Sequence, residues 1–299
     1  MDETIRCAVA EPALLGESPL WHPAEQRLWY CDIAGRELRA FDPATRRLER
    51  HAVETEPGCC APAAGGGFVL ALRSGFWFFD PASGERRLVA AAGYDTVLER
   101  YNDGKCDAAG RFWCGTLREP RTPQASLYCL EHGRVTRKAG GITVSNGLGW
   151  SPDARTMYWA DTSAHTLYAL DFDLASGAIS RRRVFARFAA RVEGEPLERY
   201  GGRPDGAAVD VQGNVWLALY EGARVLQLAP DGALLREVRL PVRCPTMPCF
   251  GGPDLRTLYV TTARQNRPAD ELAREPWAGC VLAWRVDVPG LPVNFARLD

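Results

Sequence analysis

The 299-residue chain carries 36 Lys and Arg residues against 37 Asp and Glu residues, so its formal net charge is −1. Without a basic stripe, this balance argues against nucleic acid or an anionic membrane surface as a partner. With 46% hydrophobic residues, 29 Gly and 21 Pro, the composition predicts a turn-rich globular protein with a large core. No run approaches the roughly 18 apolar residues that a membrane helix needs.

The N-terminal residues and the cysteines indicate the compartment. Acidic Asp2 and Glu3 stand where a signal or transit peptide would be basic, and no apolar segment follows them, so we expect a cytoplasmic protein. The ten Cys are scattered and are expected to be mostly small buried hydrophobes. CxxC, HExxH and GxSxG patterns are all absent from the sequence.

One short apolar strand pattern occurs six times, each time after a turn signal. The copies are Leu28 to Asp32, Phe68 to Leu72, Phe112 to Thr116, Met157 to Asp161, Val215 to Leu219 and Leu258 to Thr262. Their first residues are separated by 40, 44, 45, 58 and 43 positions, and a second strand follows each copy. Such a repeat of short strands predicts an all-β fold, a six-bladed β-propeller in which each blade is a four-stranded antiparallel sheet.

Two further segments complete this prediction of a single domain over residues 1–299. Ile5 to Ala10 precedes the first repeat and is expected to supply a strand to the last blade, which would close the ring and remove its open edges. The long fourth interval predicts an insertion at Glu193 to Arg203 that forms a loop over one face.

Polar side chains recur at one position of the repeat, ten or eleven residues before the core strand. The residues there are Glu17, Asn102 beside Asp103, Asn146 and Asp205, whereas units two and six have Pro57 and Met247 with Pro248. Equivalent positions of a propeller lie at equal height around its axis. Four of the six blades are therefore expected to direct a polar group toward one point in the central channel.

These residues also fit turns, since GESP, SNG and PDG are turn-like sequences. The alternative is a metal site in the channel. Carboxylate and carboxamide oxygens are the ligands that Ca²⁺, Mg²⁺ and Mn²⁺ prefer, and Zn²⁺ or Fe²⁺ with bound water is compatible with them. The sequence leaves the identity of the metal open.

Five motifs carry a resemblance to a known family. They are LGESPLW at 15–21, RYNDGKCDAAGRFWCGT at 100–116, SNGLGWSPD at 145–153, PDGAAVDVQGNVW at 204–216 and CFGGPDLRTLYVTTAR at 249–264. With these motifs in order, the chain resembles the regucalcin, gluconolactonase and senescence-marker-protein family, and it is most similar to the bacterial sugar-acid lactonases of that family. The resemblance implies one divalent metal in the channel, held by Glu17, Asn146 and Asp205.

The resemblance also implies the substrate contacts. Arg100 and Asn102 match substrate-contacting residues of the family. Glu119 is the candidate for a further acidic substrate residue, in a loop that is shorter here than in the animal members. Asp103 and Lys105 are expected to hold the loop.

The implied activity is the hydrolysis of an aldonolactone, a pentono- or hexono-1,4- or 1,5-lactone, to the aldonic acid. The metal would act as a Lewis acid, and Asp205 would be the general base. No obligate protein partner is expected. Alternatives remain because fold alone does not establish function: a protein-interaction propeller, a metal-binding protein without turnover, or an esterase or phosphotriesterase of the same fold.

Overall fold

The structure, a computed structural model, describes residues 4–299. Its strands form six four-stranded antiparallel sheets. The first strand of each sheet contacts the first strands of both neighbouring sheets, so the six sheets close into a ring. The predicted six-bladed β-propeller is confirmed.

Strands are numbered in chain order. The inner strands, which line the central channel, are β2 (Gly16–His22), β6 (Pro57–Pro62), β10 (Glu99–Cys106), β14 (Ser145–Trp150), β18 (Arg203–Val209) and β22 (Pro245–Gly251). The second strands are β3 (Arg27–Asp32), β7 (Phe68–Leu72), β11 (Phe112–Arg118), β15 (Thr156–Asp161), β19 (Val215–Tyr220) and β23 (Thr257–Thr262). These second strands contain the six predicted core patterns.

The third and outer strands complete the blades. The third strands are β4 (Glu37–Asp42), β8 (Gly75–Phe79), β12 (Ala125–Glu131), β16 (Thr166–Asp173), β20 (Arg224–Leu228) and β24 (Val281–Arg285). The outer strands are β5 (Arg47–Ala52), β9 (Arg86–Ala91), β13 (Arg134–Ile142), β17 (Ala178–Arg187), β21 (Leu234–Arg239) and β1 (Arg6–Val9).

Hydrophobicity determines the place of a strand within its blade. The second strand β7 reads FVLAL and is buried at every residue, whereas the outer strand β17 reads AISRRRVFAR and is mostly exposed. Apolar side chains of adjacent blades pack together between the sheets, as Trp113 of β11 does with Trp159 of β15 in one buried cluster. Burial of these aromatic side chains removes large apolar areas from water and stabilises the ring.

Two aspartates within the sequence motifs, Asp107 and Asp210, have structural roles. The side chain of Asp107 accepts a hydrogen bond from the indole Nε1 of Trp113 at 2.8 Å, and Asp210 accepts one from Trp216 at 3.1 Å. Both aspartates are completely buried and both follow an inner strand. A buried carboxylate needs hydrogen-bond donors, and here the turn and the core indole supply them. These two acids therefore serve folding and lie apart from the channel cluster.

The chain closes the ring at its N-terminus. Strand β1 pairs antiparallel with β24, with Arg6 opposite Ala283, so the strand predicted at Ile5 to Ala10 completes the last blade. This pairing places strands from both ends of the chain in one sheet, which holds the ring closed.

The connections position the remaining elements. Residues 188–202 form the predicted inserted loop with a 3₁₀ turn at Leu197–Arg199, while Arg203 already begins β18. A short helix that the sequence did not predict, α1 (Ala269–Arg274), lies between β23 and β24. Within residues 4–299, no helix has the length and hydropathy needed to cross a membrane.

Candidate active site in the central channel

The inner strands begin at one end of the channel, here called the upper end. Each carries a bulge with one extra residue near its start, where pairing with the second strand shifts. In β10 the bulge lies between Tyr101 and Gly104 and contains Asn102 and Asp103. In β18 it contains Asp205. A bulge interrupts the regular alternation of side chains between the two faces of a strand. The side chains of Asn102, Asp103 and Asp205 therefore need not follow that alternation.

Glu17 and Asn146 are each the last paired residue before a bulge. The residue that follows has positive φ in both cases, 50° at Ser18 and 61° at Gly147. At Gly147 a Cβ atom would lie 3.0 Å from the Cβ of Ala160. Glycine therefore permits both the positive φ and the close packing at this position. The turn-like SNG sequence is thus a bulge within a strand.

A chain of hydrogen bonds connects the two carboxamides. Asn102 Nδ2 donates to Asn146 Oδ1 at 2.9 Å and to the Ser145 carbonyl oxygen at 2.9 Å. Asn146 Nδ2 donates to Thr162 Oγ1 at 2.7 Å, and that hydroxyl donates to the Pro204 carbonyl oxygen at 2.7 Å. The network determines which amide atom of Asn146 is oxygen, and that oxygen keeps a second lone pair.

Thr162 is a site residue that sequence reasoning missed. It is buried, and it links the Asn146 side chain to the backbone of the next inner strand. Its signal was its place directly after the fourth core strand, in the sequence ADT. Thr162 follows its core strand, whereas Glu17, Asn102, Asn146 and Asp205 precede theirs.

Three carboxyl groups share the channel with these amides. Glu17, Asp103 and Asp205 are all buried, with 8%, 3% and 5% of their surface exposed. Burial raises the pKa of Glu17 well above its ordinary value, and the charges of Asp205 and Asp103 raise it further. The pKa of Asp205 is likewise raised, first by burial and then by the charge of Asp103. Like charges this close destabilise one another unless a cation or protons neutralise them.

The donor set fits a divalent cation. Within residues 4–299, neither Glu17 nor Asp205 forms an ion pair, and Glu17 accepts a bond from the Ser18 backbone. No group of three or more His, Cys, Asp or Glu side chains in this described part of the chain is placed to hold a metal. A metal here would therefore take its third protein ligand from a carboxamide, as Asn146 permits. Hard oxygen donors suit such an ion.

Asp103 connects the third blade to the fourth, and Lys105 connects the third blade to the fifth. Asp103 Oδ2 accepts a hydrogen bond from the Leu148 backbone at 2.9 Å, and Lys105 Nζ donates to the Ala207 carbonyl oxygen. Burial raises the pKa of Asp103 and lowers that of Lys105, while the opposite charge of each partner counteracts the shift. Asp103 Oδ1 is buried without a hydrogen-bond partner among the described residues. The pair lies in strand β10, where we had expected a loop.

Arg100 stands above this cluster. Its Nη1 donates to the Tyr101 carbonyl oxygen and to Asn102 Oδ1, both at 2.9 Å. Burial lowers the pKa of Arg100 to about 10, and the positive charge of Arg121 adds to this effect. The negative charge of Glu17 acts in the opposite direction, which places Arg100 within electrostatic range of the carboxylates.

Glu119 lies at the rim. It follows β11 at the upper end, its side chain is 63% exposed, and its Oε1 is 2.8 Å from Nη2 of Arg121. The structure thus brings Glu17, Asn146 and Asp205 together with Asn102 and Arg100 in the channel, and it places Glu119 outside that group. A substrate contact by Glu119 stays a prediction.

The lower end of the channel is closed. A cavity of about 130 Å³ lies there, lined by Trp150, Phe250 and Leu291 among other mostly apolar residues. The C-terminal residues 289–299 cross this end, and Leu291 N donates to the Val209 carbonyl oxygen at 3.1 Å.

Comparison with known proteins gives a consistent result. A family model described as SMP-30/gluconolactonase/LRE-like region matches residues 15–264. A 6-deoxy-6-sulfogluconolactonase of Pseudomonas putida is 44% identical over 297 residues, which covers 97% of each chain. Regucalcin of Danio rerio is 35% identical, with 96% of each chain covered.

A solved structure agrees with these sequence relatives. It is described as a calcium-binding protein, regucalcin, from Agrobacterium tumefaciens. It superimposes with a TM-score of 0.92 at 28% identity, covering 99% of this chain and 98% of the other.

Proposed function

Because the chain belongs to the SMP-30/gluconolactonase/LRE-like family and is a lactonase, we propose that it hydrolyses an aldonolactone with the help of one divalent cation. The observation that supports this proposal is that Glu17, Asn146 and Asp205, three buried side chains with oxygen donors, come from three blades and lie in the channel. Two of them carry negative charge that the protein leaves unpaired, as described above.

Glu17, Asn146 and Asp205 would hold the cation. When bound, it supplies Lewis-acid polarisation of the ester carbonyl. The hydrogen bonds from Asn102 and to Thr162 keep the amide oxygen of Asn146 in place for this role. Such supporting contacts orient ligands and tune their strength.

Asp205 is the proposed general base. Its carboxylate takes a proton from a water molecule, whose oxygen forms the new bond to the carbonyl carbon. The ester carbon–oxygen bond then breaks, and the ring oxygen leaves as a hydroxyl after it gains a proton. Burial raises the pKa of Asp205 in the metal-free protein.

Arg100 and Asn102 are proposed to orient the sugar. Arg100 has donors left after its two hydrogen bonds, and Asn102 borders Asn146 directly. Arg100 can donate to hydroxyl or ring oxygens, and Asn102 Oδ1 can accept from a sugar hydroxyl, while the ester lies over the carboxylates. The Pseudomonas putida relative is named for a sulfonated hexonolactone. We therefore propose a hexonolactone as the substrate, with its sulfonated form as the preferred candidate.

A pH-stat assay tests this function. Pentono- and hexono-lactones are compared with aryl esters and phosphotriesters, using metal-free protein reloaded with Ca²⁺, Zn²⁺, Mn²⁺, Mg²⁺ or Fe²⁺. We expect lactone hydrolysis with the largest kcat/KM, dependent on added metal. Metal binding without any turnover would instead identify a metal-binding protein, and faster turnover of an ester or phosphotriester would replace the proposed substrate class.

A further inference from the structure

Arg73, Arg100 and Arg121 lie at the upper end of the channel, and they differ in how their charge is balanced. Arg73 makes two hydrogen bonds to Glu56, at 3.0 and 2.9 Å, and is thereby neutralised. Arg121 pairs with Glu119 at the solvent-exposed rim, where ion pairs are weak. Arg100 bonds to neutral oxygens and forms no ion pair within residues 4–299, although the charges of Glu56 and Glu17 act on it at longer range.

The free edge of the Arg100 guanidinium suits an oxyanion. Both of its hydrogen bonds use Nη1, so Nε and Nη2 make no hydrogen bond to the described residues. These two nitrogens lie on one side of the planar group and present parallel N–H donors. That fork matches two oxygens of a carboxylate, phosphate or sulfonate.

Arg121 is placed to face the same ligand. Strand β11 ends at Arg118, and its residue Leu117 pairs with Arg100 in the sheet. The loop that starts at Glu119 therefore leaves the sheet beside Arg100. The positive charge of Arg121 lowers the pKa of Arg100, which agrees with this proximity.

With a dication bound to the carboxylates, the formal charges would leave the mouth positive. Glu17, Asp103 and Asp205 contribute three negative charges to the channel, and Lys105 contributes one positive charge. A bound dication would cancel the difference. The charge of Arg100 then remains, and a focused positive potential at the mouth attracts anions.

We propose that Arg100 and Arg121 form a subsite for an anionic substituent on the sugar carbon farthest from the lactone carbonyl. This inference rests on the proposed lactonase function and narrows its substrate class to lactones that carry a sulfonate, phosphate or carboxylate. Glu119 forms an ion pair with Arg121 when the subsite is empty, and it competes with the anionic substituent for Arg121. Its position at the rim thus gives Glu119 a part in selectivity.

The test compares kcat/KM for glucono-1,5-lactone with that for its 6-phospho and 6-deoxy-6-sulfo forms and for a glucarolactone. Arg121→Gln should lower the anionic-to-neutral ratio about three- to tenfold, the loss of one partly exposed charged hydrogen bond. Glu119→Gln should raise the ratio, because it removes the competing carboxylate. Arg47→Gln, at a side chain that is 75% exposed on an outer strand, is the matched control.

An unchanged ratio in both rim variants would overturn the subsite. The wild-type ratios among sulfonate, phosphate and carboxylate show which anion the subsite prefers. A wild type that hydrolyses neutral and anionic lactones equally well contradicts this inference and leaves the proposed function standing.

A binding measurement separates the two proposals completely. Calorimetry compares 6-phosphogluconate with gluconate, which differ in the distal anion, and needs no turnover. We expect tighter binding of 6-phosphogluconate, lost in Arg121→Gln and retained in Arg47→Gln. Equal affinities in the wild type would contradict the subsite, whereas absence of lactone hydrolysis with this preference intact would contradict the proposed function alone.

Discussion

The two ends of the channel use the same six inner strands for opposite purposes. Near the start of these strands, bulges direct Glu17, Asn146 and Asp205 inward. Past the bulges the strands regain regular pairing, and their side chains become mostly apolar around a cavity closed by residues 289–299. The bulge alone does not create the polar cluster, because β6 and β22 carry the same bulge and place Gly58 and Thr246 in it. The residue type at the bulge makes the difference.

The closed end supports the chemistry of the open one. The lower end is lined mostly by apolar residues, which keeps the surroundings of the carboxylates poorly polarisable. Charges interact more strongly in such surroundings than in water. The raised pKa values of Glu17 and Asp205 are the consequence. Changes at the upper end should therefore alter catalysis, and changes at the lower end should alter stability.

The largest effect is expected from Asp205→Asn. It keeps the shape and one oxygen of the side chain and removes the charge and most of the basicity. At saturating metal, kcat should fall by at least about 10²-fold, the usual contribution of a general base. Steady-state kinetics on a hexonolactone measures this, with the exposed Asp231→Asn as control. A near-normal kcat would reduce Asp205 to a ligand and make Asp103 the next candidate for the base.

Asn102→Ala should have a smaller and different effect. If Asn102 contacts substrate, its loss should raise KM about tenfold and leave kcat less affected. The hydrogen bond from Asn102 to Asn146 Oδ1 predicts a lesser decrease in metal affinity. Kinetics and metal titration on the same preparation separate these effects. A kcat decrease as large as that of Asp205→Asn would assign Asn102 to the reaction itself.

Deleting residues 289–299 tests the lower end. The tail makes backbone hydrogen bonds with several blades, for example Ala296 N to the Pro62 carbonyl oxygen at 2.8 Å and Arg297 N to the Gly110 carbonyl oxygen at 2.9 Å. Their loss should lower Tm by roughly 5 °C or more. At a temperature where the truncated protein is folded, its kcat/KM should stay within about threefold of wild type. A much larger loss would show that the two ends are coupled.

The smallest effect concerns stability without metal. Folding raises the pKa of Glu17 above its ordinary value of 4.5, so the folded state binds this proton more tightly than the unfolded state. Above that ordinary value, rising pH then destabilises the metal-free fold. Glu17→Gln removes the charge, so metal-free Glu17→Gln should melt a few degrees higher than metal-free wild type at pH 8. The advantage should shrink toward pH 5, and a lower Tm at pH 8 would contradict the charge argument.

The repeat allowed much of this molecule to be predicted from sequence. Six core strands at regular intervals gave the blades, and counting back from them gave Glu17, Asn146 and Asp205 at equivalent heights. The inward direction of these side chains depends on bulges. Turn-like residues signal a bulge and a hairpin equally well, because both use positive φ at Gly or Ser.

Other parts of the site depend on contacts between distant residues. Thr162 acts through hydrogen bonds to two neighbouring inner strands. The C-terminal tail crosses the lower end through backbone–backbone hydrogen bonds. Such bonds do not depend on side-chain type, so the sequence gives no sign of them. The proposed role of Arg121 in the anion subsite depends on the sheet register, which places its loop beside Arg100. These contacts between distant residues cannot be predicted from local sequence patterns.

Calorimetric titration of metal-free protein with a divalent cation tests the central claim most directly. We predict about one ion per chain, with affinity reduced at least about tenfold in Asn146→Ala and in Glu17→Gln, since each loses a ligand. Activity should return in proportion to the bound ion. Unchanged affinity in both variants, or full turnover by demonstrably metal-free protein, would contradict the assignment of Glu17, Asn146 and Asp205 as the metal centre.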